Sequence, residues 1–221
     1  MIIVLGRPRV YRPEPDGGLA PGGLAAEIAL ALGRAGARVE LVGSIGDDPE
    51  GDHVVVELGR AGVGHAALLR DPSTRTPAMG PGSGEAPLPR LEAADVELGL
   101  RYLVDWRVLV LPEDLDAAAQ GQALEAAEYH AAAVVMVASA GSIDPATLGD
   151  QVSLLERPPA EGAAGSDDDL EAAADARAAA ADEATFAAVI AAYSARLDGG
   201  EAPAAAFEAA LRGSAWEPSP E

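Results

Sequence analysis

The strongest constraint on the fold is an alternation of short, continuous apolar runs with stretches of helical periodicity. Residues 1–5 (MIIVL), 107–111 (RVLVL) and 133–138 (AVVMVA) are typical of strands buried on both faces, and amphipathic segments lie between them. Strands of this kind occur in parallel sheets that helices cover on both sides. The sequence therefore predicts an α/β fold built on a mostly parallel sheet.

Local signals place several helices. The run from Gly23 to Gly36 carries apolar residues on one face, and Asp48 followed by Pro49 is typical of a helix N-cap and first helical position. Two further helices are expected near the carboxyl end, after a break over residues 157–168. The Pro- and Gly-rich stretches 7–22 and 71–90 are predicted to be irregular.

Charge and composition exclude several functions. The chain has 36 Asp and Glu against 15 Arg and no Lys, a formal net charge of −21, which disfavours binding to nucleic acid or an anionic membrane. It has no cysteine, so a disulfide scaffold, a thiolate metal site and a cysteine nucleophile are excluded. The apolar start is too short for a signal peptide. We therefore expect a cytoplasmic protein, with one domain over residues 1–213 and a flexible tail over 214–221.

An ordered set of motifs occupies residues 22–64. Gly22 and Gly23 open the first helix, the second strand continues into VGSIGDDPEG (residues 42–51), and LGRAGV (58–63) closes the unit at the end of the second helix. In this order and spacing the chain resembles the ribokinase/PfkB family of carbohydrate and nucleoside kinases. The resemblance implies a three-layer α/β/α sandwich with a small β lid, and transfer of the γ-phosphoryl group of Mg-ATP to a sugar-type hydroxyl. That chemistry needs an Asp base, an anion hole at a helix N-terminus and Mg²⁺.

The substrate side of the family pattern is changed. Where the family carries a substrate-binding Asp after the first strand, this chain has Tyr11, and Glu27 stands at the position of a sugar-binding Asn in the first helix. A carboxylate accepts hydrogen bonds from hydroxyls but cannot donate. Residues 7–21 are also too short and too rich in proline for the usual lid hairpins, so the lid is expected to be reduced or absent. The candidate substrate-binding residues are Gly22, Gly23, Glu27 and Tyr11.

The phosphate-binding side of the pattern is changed more severely. The family's GAGD motif, whose glycines approach the phosphates and whose Asp is the base, does not occur in the chain. One alignment places Ala184 at the position of the Asp, and a shift of two residues places Asp182 there. Asp182 is therefore the candidate catalytic residue if the protein is active.

Three functions follow from this reading. The first is a catalytically degenerate PfkB-like protein that acts by binding a small ligand or a partner, with no cofactor and no metal. The second is an active sugar or nucleoside kinase that uses Mg-ATP and Asp182. The third is a structural homodimer that pairs through the surface near residues 7–20 and 70–90.

Overall fold

The chain alternates strands and helices through most of its length. In the computed structural model, residues 1–12, 18–80, 86–113, 115–157 and 169–213 are described. The elements are, in chain order, β1 (Ile2–Gly6), β2 (Arg9–Tyr11), β3 (Ala20–Gly22), α1 (Leu24–Arg34), β4 (Val39–Gly46), α2 (Pro49–Arg60), β5 (Leu68–Asp71), β6 (Ala78–Met79), α3 (Ala93–Arg101), β7 (Val108–Leu111), α4 (Ala117–Tyr129), β8 (Ala133–Ser139), β9 (Val152–Arg157), α5 (Asp169–Asp198) and α6 (Pro203–Arg212).

The central sheet has a reversal in its strand order. Within the described residues it holds six parallel strands in the order β5-β4-β1-β7-β8-β9. From β1 the chain first builds outward on one side, through β4 and β5, and then crosses to add β7, β8 and β9 on the other side. Strands β1 and β7 therefore lie side by side where the direction of winding changes. In parallel sheets such a point opens a crevice at the carboxyl ends of the strands.

Two apolar clusters fill the space on opposite faces of this sheet. Alternate residues of β1 show the division, because Ile2 and Val4 belong to one cluster and Ile3 and Leu5 to the other. Helices α1, α2, α5 and α6 pack on the first face, and α3 and α4 pack on the second. The predicted three-layer α/β/α sandwich with a mostly parallel sheet is confirmed. In the described part of the chain, every helix is too short or too polar to span a bilayer.

Helix α2 begins where the sequence predicted. Asp48 is its N-cap, and the carboxylate accepts a hydrogen bond of 2.8 Å from the backbone N–H of Gly51. Pro49 occupies the first helical position, where its missing N–H costs nothing.

The prediction that residues 7–22 and 71–90 are irregular was wrong in part. Strands β2, β3 and β6 form a small second sheet in the order β3-β2-β6, with β2 and β3 antiparallel. Pro21 lies in β3, which is an edge strand of this sheet, and an edge tolerates a residue that cannot donate to the ladder. The lid is therefore reduced to three short strands, not absent. The tail predicted over residues 214–221 lies outside the described residues.

Candidate functional site

The candidate site lies at the carboxyl ends of the parallel strands, at the point where the winding reverses. Arg7 directly follows β1, Glu113 comes two residues after β7, and Ser139 and Arg157 end β8 and β9. Together with the N-terminus of α1 at Gly23, these residues surround a cavity of about 210 Å³. The position is the one that open α/β sheets use for ligands.

Charged side chains dominate the wall of this cavity. The lining includes three arginines and two glutamates, namely Arg7, Arg9, Arg157, Glu113 and Glu183. They come from the loop after β1, from β2, from the loop after β7, from β9 and from α5. The fold therefore gathers groups that are up to 176 residues apart in the sequence.

An ion pair joins the ends of the two central strands. Nε of Arg7 lies 2.7 Å from Oε1 of Glu113, and the backbone N–H of Arg7 donates to the same oxygen at 2.8 Å. Both side chains are only 16% exposed. Two donors on one carboxylate oxygen fix the position of Glu113 and bridge the crevice between β1 and β7.

Arg9 crosses the N-terminus of α1 and depends on a glycine there. The backbone φ of Gly23 is 78°, a conformation that favours glycine. A Cβ at this position would also lie 3.2 Å from Cγ of Arg9. Gly23 therefore lets the stem of Arg9 pack against the helix start, while Nη1 of Arg9 contacts Sδ of Met79 at 3.9 Å.

Arg157 reaches from the edge of the sheet back toward its centre. Its Nη2 donates to the carbonyl oxygen of Pro112 at 3.3 Å, which places the guanidinium beside the end of β7. Strand β8 lies between β9 and β7, so this side chain spans the end of β8. It closes one side of the cavity.

The carboxyl of Glu27 on α1 is affected by the carboxylate of Glu183 on the neighbouring helix α5, beside the cavity. Burial raises the pKa of Glu27 in the first turn of α1, the Arg34 guanidinium lowers it, and the carboxylate of Glu183 raises it. The net direction is upward, so Glu27 binds a proton more readily than an exposed glutamate does. Glu183 itself lines the cavity and is half-buried.

The predicted substrate residues gather around the start of α1, but only one of them lines the cavity. Gly23 is in its wall, whereas Gly22, Tyr11 and Glu27 are not. Gly22 ends β3, and a Cβ there would lie 3.1 Å from Cβ of Tyr11 on β2. The hydroxyl of Tyr11 is buried and has no hydrogen-bond partner among the described residues.

The candidate catalytic base, Asp182, does not line the cavity. Asp182 is exposed on α5 and is absent from the lining, whereas its neighbour Glu183 takes part in it. Successive residues on a helix point about 100° apart, so only one of the two can face the cavity.

The sequence did not single out the arginines of the cavity. Arg7 and Arg157 each lie just after an apolar run that predicts a strand, whereas Arg9 lies in the Pro-rich stretch that was predicted to be irregular. Charged residues at the carboxyl ends of successive parallel strands converge in space, and this signal could have identified Arg7 and Arg157. Arg9 could not have been found this way, because it belongs to the small sheet that the sequence did not predict.

The cavity that the described residues form is small for a nucleoside triphosphate. Its volume of about 210 Å³ is below the roughly 300–1,000 Å³ of pockets for drug-sized ligands, and a nucleoside triphosphate is at least of that size.

Comparison with known proteins identifies the fold. A family model, the pfkB family carbohydrate kinases, matches residues 8–79, and no curated protein matches the chain. The solved structure of Sa239 superposes with a TM-score of 0.63 at 14% identity, over 99% of this chain and 95% of that one.

Two solved kinases align with about two thirds of the chain. Aminoimidazole riboside kinase from Salmonella enterica has a TM-score of 0.49 at 16% identity, over 67% of this chain and 52% of that one. Fructokinase from Vibrio cholerae O395 has a TM-score of 0.49 at 18% identity, over 62% of this chain and 49% of that one. The aligned part of the chain spans about half the length of these two kinases.

The resemblance to the ribokinase/PfkB family is confirmed over residues 8–79, and the chain shares its fold with Sa239. The matched range covers β2, β3, α1, β4, α2, β5 and β6. It includes the helix start at Gly23 but neither α5 nor the ends of β7, β8 and β9.

Proposed function

We propose that this chain is a catalytically degenerate ribokinase-like protein that binds a small ligand in the cavity at the ends of β1, β7, β8 and β9. The observation that carries the proposal is the lining itself, a small cavity with charged walls at the ligand position of the fold. Its size suits a molecule smaller than a nucleotide, and its polar wall suits a ligand rich in hydroxyl or charged groups.

The absence of phosphoryl transfer is proposed for two reasons. The family motif that supplies glycines and the base has no counterpart in the sequence. In its place α5 carries an alanine-rich stretch with Asp182 exposed to solvent. Alanine side chains occupy the space that glycines would leave for backbone contacts to phosphate.

Binding is tested by thermal denaturation and calorimetry with Mg-ATP and with a panel of sugars and sugar derivatives. A ligand at about 100 times its dissociation constant stabilises the folded state by about 2.7 kcal/mol, a readily measured change. We expect Mg-ATP to give no shift and at least one small ligand to give a clear one. Micromolar affinity for Mg-ATP would contradict the proposal.

A matched pair of variants locates the binding site. Ser139 is exposed and lines the cavity, whereas the adjacent Ala140 is exposed and does not. We expect Ser139→Trp to abolish ligand binding by filling the cavity and Ala140→Trp to leave it unchanged. Equal effects of the two substitutions would place the ligand elsewhere.

An active kinase is the competing function. It predicts phosphotransfer from Mg-ATP that is lost in Asp182→Ala, whereas our proposal predicts no phosphotransfer and unchanged stability and binding in that variant. A homodimer is the third function, and the small β3-β2-β6 sheet lies in the region predicted for its interface. Size-exclusion chromatography that shows a dimer, together with no response to any ligand, would favour it.

A further inference from the structure

Among the described residues, the cavity lining carries more positive than negative side chains, although the protein is strongly acidic. The chain has a formal net charge of −21, yet the lining holds three arginines against two glutamates. One of those glutamates, Glu113, is bound to Arg7, which leaves Arg9, Arg157 and Glu183.

The two remaining arginines have no carboxylate partner among the described residues. The partners of Arg9 and Arg157 there are a thioether sulfur and a backbone carbonyl oxygen, both of which are uncharged. Arg9 is half-buried, and a guanidinium that is partly removed from water is costly without a counter-charge. A bound anion would supply that counter-charge to both groups.

We infer that the ligand of this cavity is a small polyol that carries one anionic group, a carboxylate or a phosphate, held between Arg9 and Arg157. The inference rests on the proposed function, because it names the class of ligand for the same cavity. Arginine presents a planar fork of donors that matches both carboxylate and phosphate oxygens.

The carboxylate of Glu183 is the reason for proposing hydroxyl groups on the ligand. Glu183 lines the same cavity and, when ionised, can only accept hydrogen bonds. Hydroxyl groups supply the donors that it needs, and they also tolerate the polar wall formed by Ser139. An anion without hydroxyls would bring a second negative charge near Glu183 and would offer its carboxylate no hydrogen-bond donor.

The test compares matched neutral and anionic probes by isothermal titration calorimetry. The pairs are glucose with gluconate and ribose with ribose 5-phosphate. We expect gluconate or ribose 5-phosphate to bind at least tenfold more tightly than its neutral counterpart, and the tighter of the two anions identifies the charged group. Neutral and anionic probes of equal affinity would overturn the inference but leave the proposed function standing.

Arginine variants test the residues. We expect Arg9→Gln and Arg157→Gln each to weaken binding of the anionic probe by about tenfold or more, because each removes a charge-assisted hydrogen bond. Arg101→Gln is the control, because Arg101 lies on the exposed side of α3 and pairs with Glu97. If Arg9→Gln does not fold, Arg157→Gln carries the test, since that side chain is exposed at the end of β9.

The outcomes separate the two proposals. Unchanged anion affinity in both arginine variants would overturn the inference alone. No binding of any of the four probes would overturn the inference, and the proposed function would then fail as well if the wider panel also gave no response. Binding that survives Ser139→Trp would contradict the proposed function even if it favoured anions.

Discussion

The amino-terminal region that matches the family and the α5 helix differ in what their residues do. In the matched region, motif residues hold the fold together. The carboxylate of Asp48 caps α2 and also accepts hydrogen bonds from the backbone N–H and the hydroxyl of Thr76, at 2.7 and 2.8 Å. Gly43 lies so close to β1 that a Cβ there would overlap the carbonyl oxygen of Gly6.

The buried residues of α5 serve packing. Phe186, Ile190 and Tyr193 are buried in the cluster that includes α1, while Asp182 faces solvent. The comparison teaches that the family motifs of the first region are required by the sandwich itself. They can therefore persist where the phosphate-binding motif does not, and a match over residues 8–79 reports the fold, not the reaction.

The largest expected effect comes from breaking the matched region at Gly43. Gly43→Ala would force β1 and β4 apart, because the new methyl group has no space beside the Gly6 carbonyl. We expect the free energy of unfolding to fall by about 3 kcal/mol or more, measured by chemical denaturation.

Gly121→Ala is the control for this substitution. Gly121 is an exposed residue within α4, and no described atom lies within 4 Å of a Cβ built there. Alanine is the better helix former, so we expect a gain of about 0.5–1 kcal/mol. Similar losses in both variants would mean that the Gly6–Gly43 contact is not specifically required.

The second prediction compares two adjacent acids of the GDD motif. Asp48→Ala removes the cap of α2 and the link to Thr76, and we expect a loss of about 2–3 kcal/mol. Asp47 is exposed and pairs only with Arg70 at 3.5 Å within the described residues, so Asp47→Ala should change stability by about 0.5 kcal/mol or less. Equal losses would contradict a structural role that belongs to Asp48 and not to Asp47.

The pH dependence of this pair is a third prediction. Partial burial raises the pKa of Asp48, but the hydrogen bonds from Gly51 and Thr76 and the charge of Arg75 together bring it below its ordinary value. The stabilisation is therefore present above the unfolded pKa of about 4 and is lost as the pH falls through the folded pKa. We expect the difference between wild type and Asp48→Ala to be largest near pH 7 and to shrink in acid; a constant difference would contradict this.

Local signals predicted the fold better than the site. The cap at Asp48 and the buried strands were predictable, because an Asp-Pro pair and a short apolar run act on their own neighbourhood. Strands β2 and β3 were missed because their pairing outweighs the low strand propensity of a proline-rich segment. The choice between Asp182 and Glu183 depends on the rotation of α5 against the sheet, which the sequence of the helix does not fix.

The smallest expected effect concerns Glu27 of α1, which lies in the matched region. The carboxylate of Glu183 on α5 contributes to its raised pKa, so Glu27 lies where the two compared regions meet. Burial is the main cause of the raised pKa of Glu27, and Arg34 offsets it only in part. A carboxyl whose folded pKa is raised contributes stability that is fully present below its unfolded pKa of about 4.3 and is lost as the pH rises through the folded value.

Glu27→Gln removes the free-energy cost of keeping a partly buried carboxylate ionised near pH 7. We expect the variant to be more stable than wild type near pH 7 by about 1 kcal/mol or less, and the advantage to disappear near pH 4. Glu208→Gln on α6 is the control, since Glu208 is exposed and pairs with Arg212 one turn away. A stability advantage of Glu27→Gln that grows in acid would contradict the raised pKa of Glu27. It would mean that the folded protein stabilises the ionised carboxylate. Glu27 would then belong with Asp48, as an acid that the sandwich needs in its charged form.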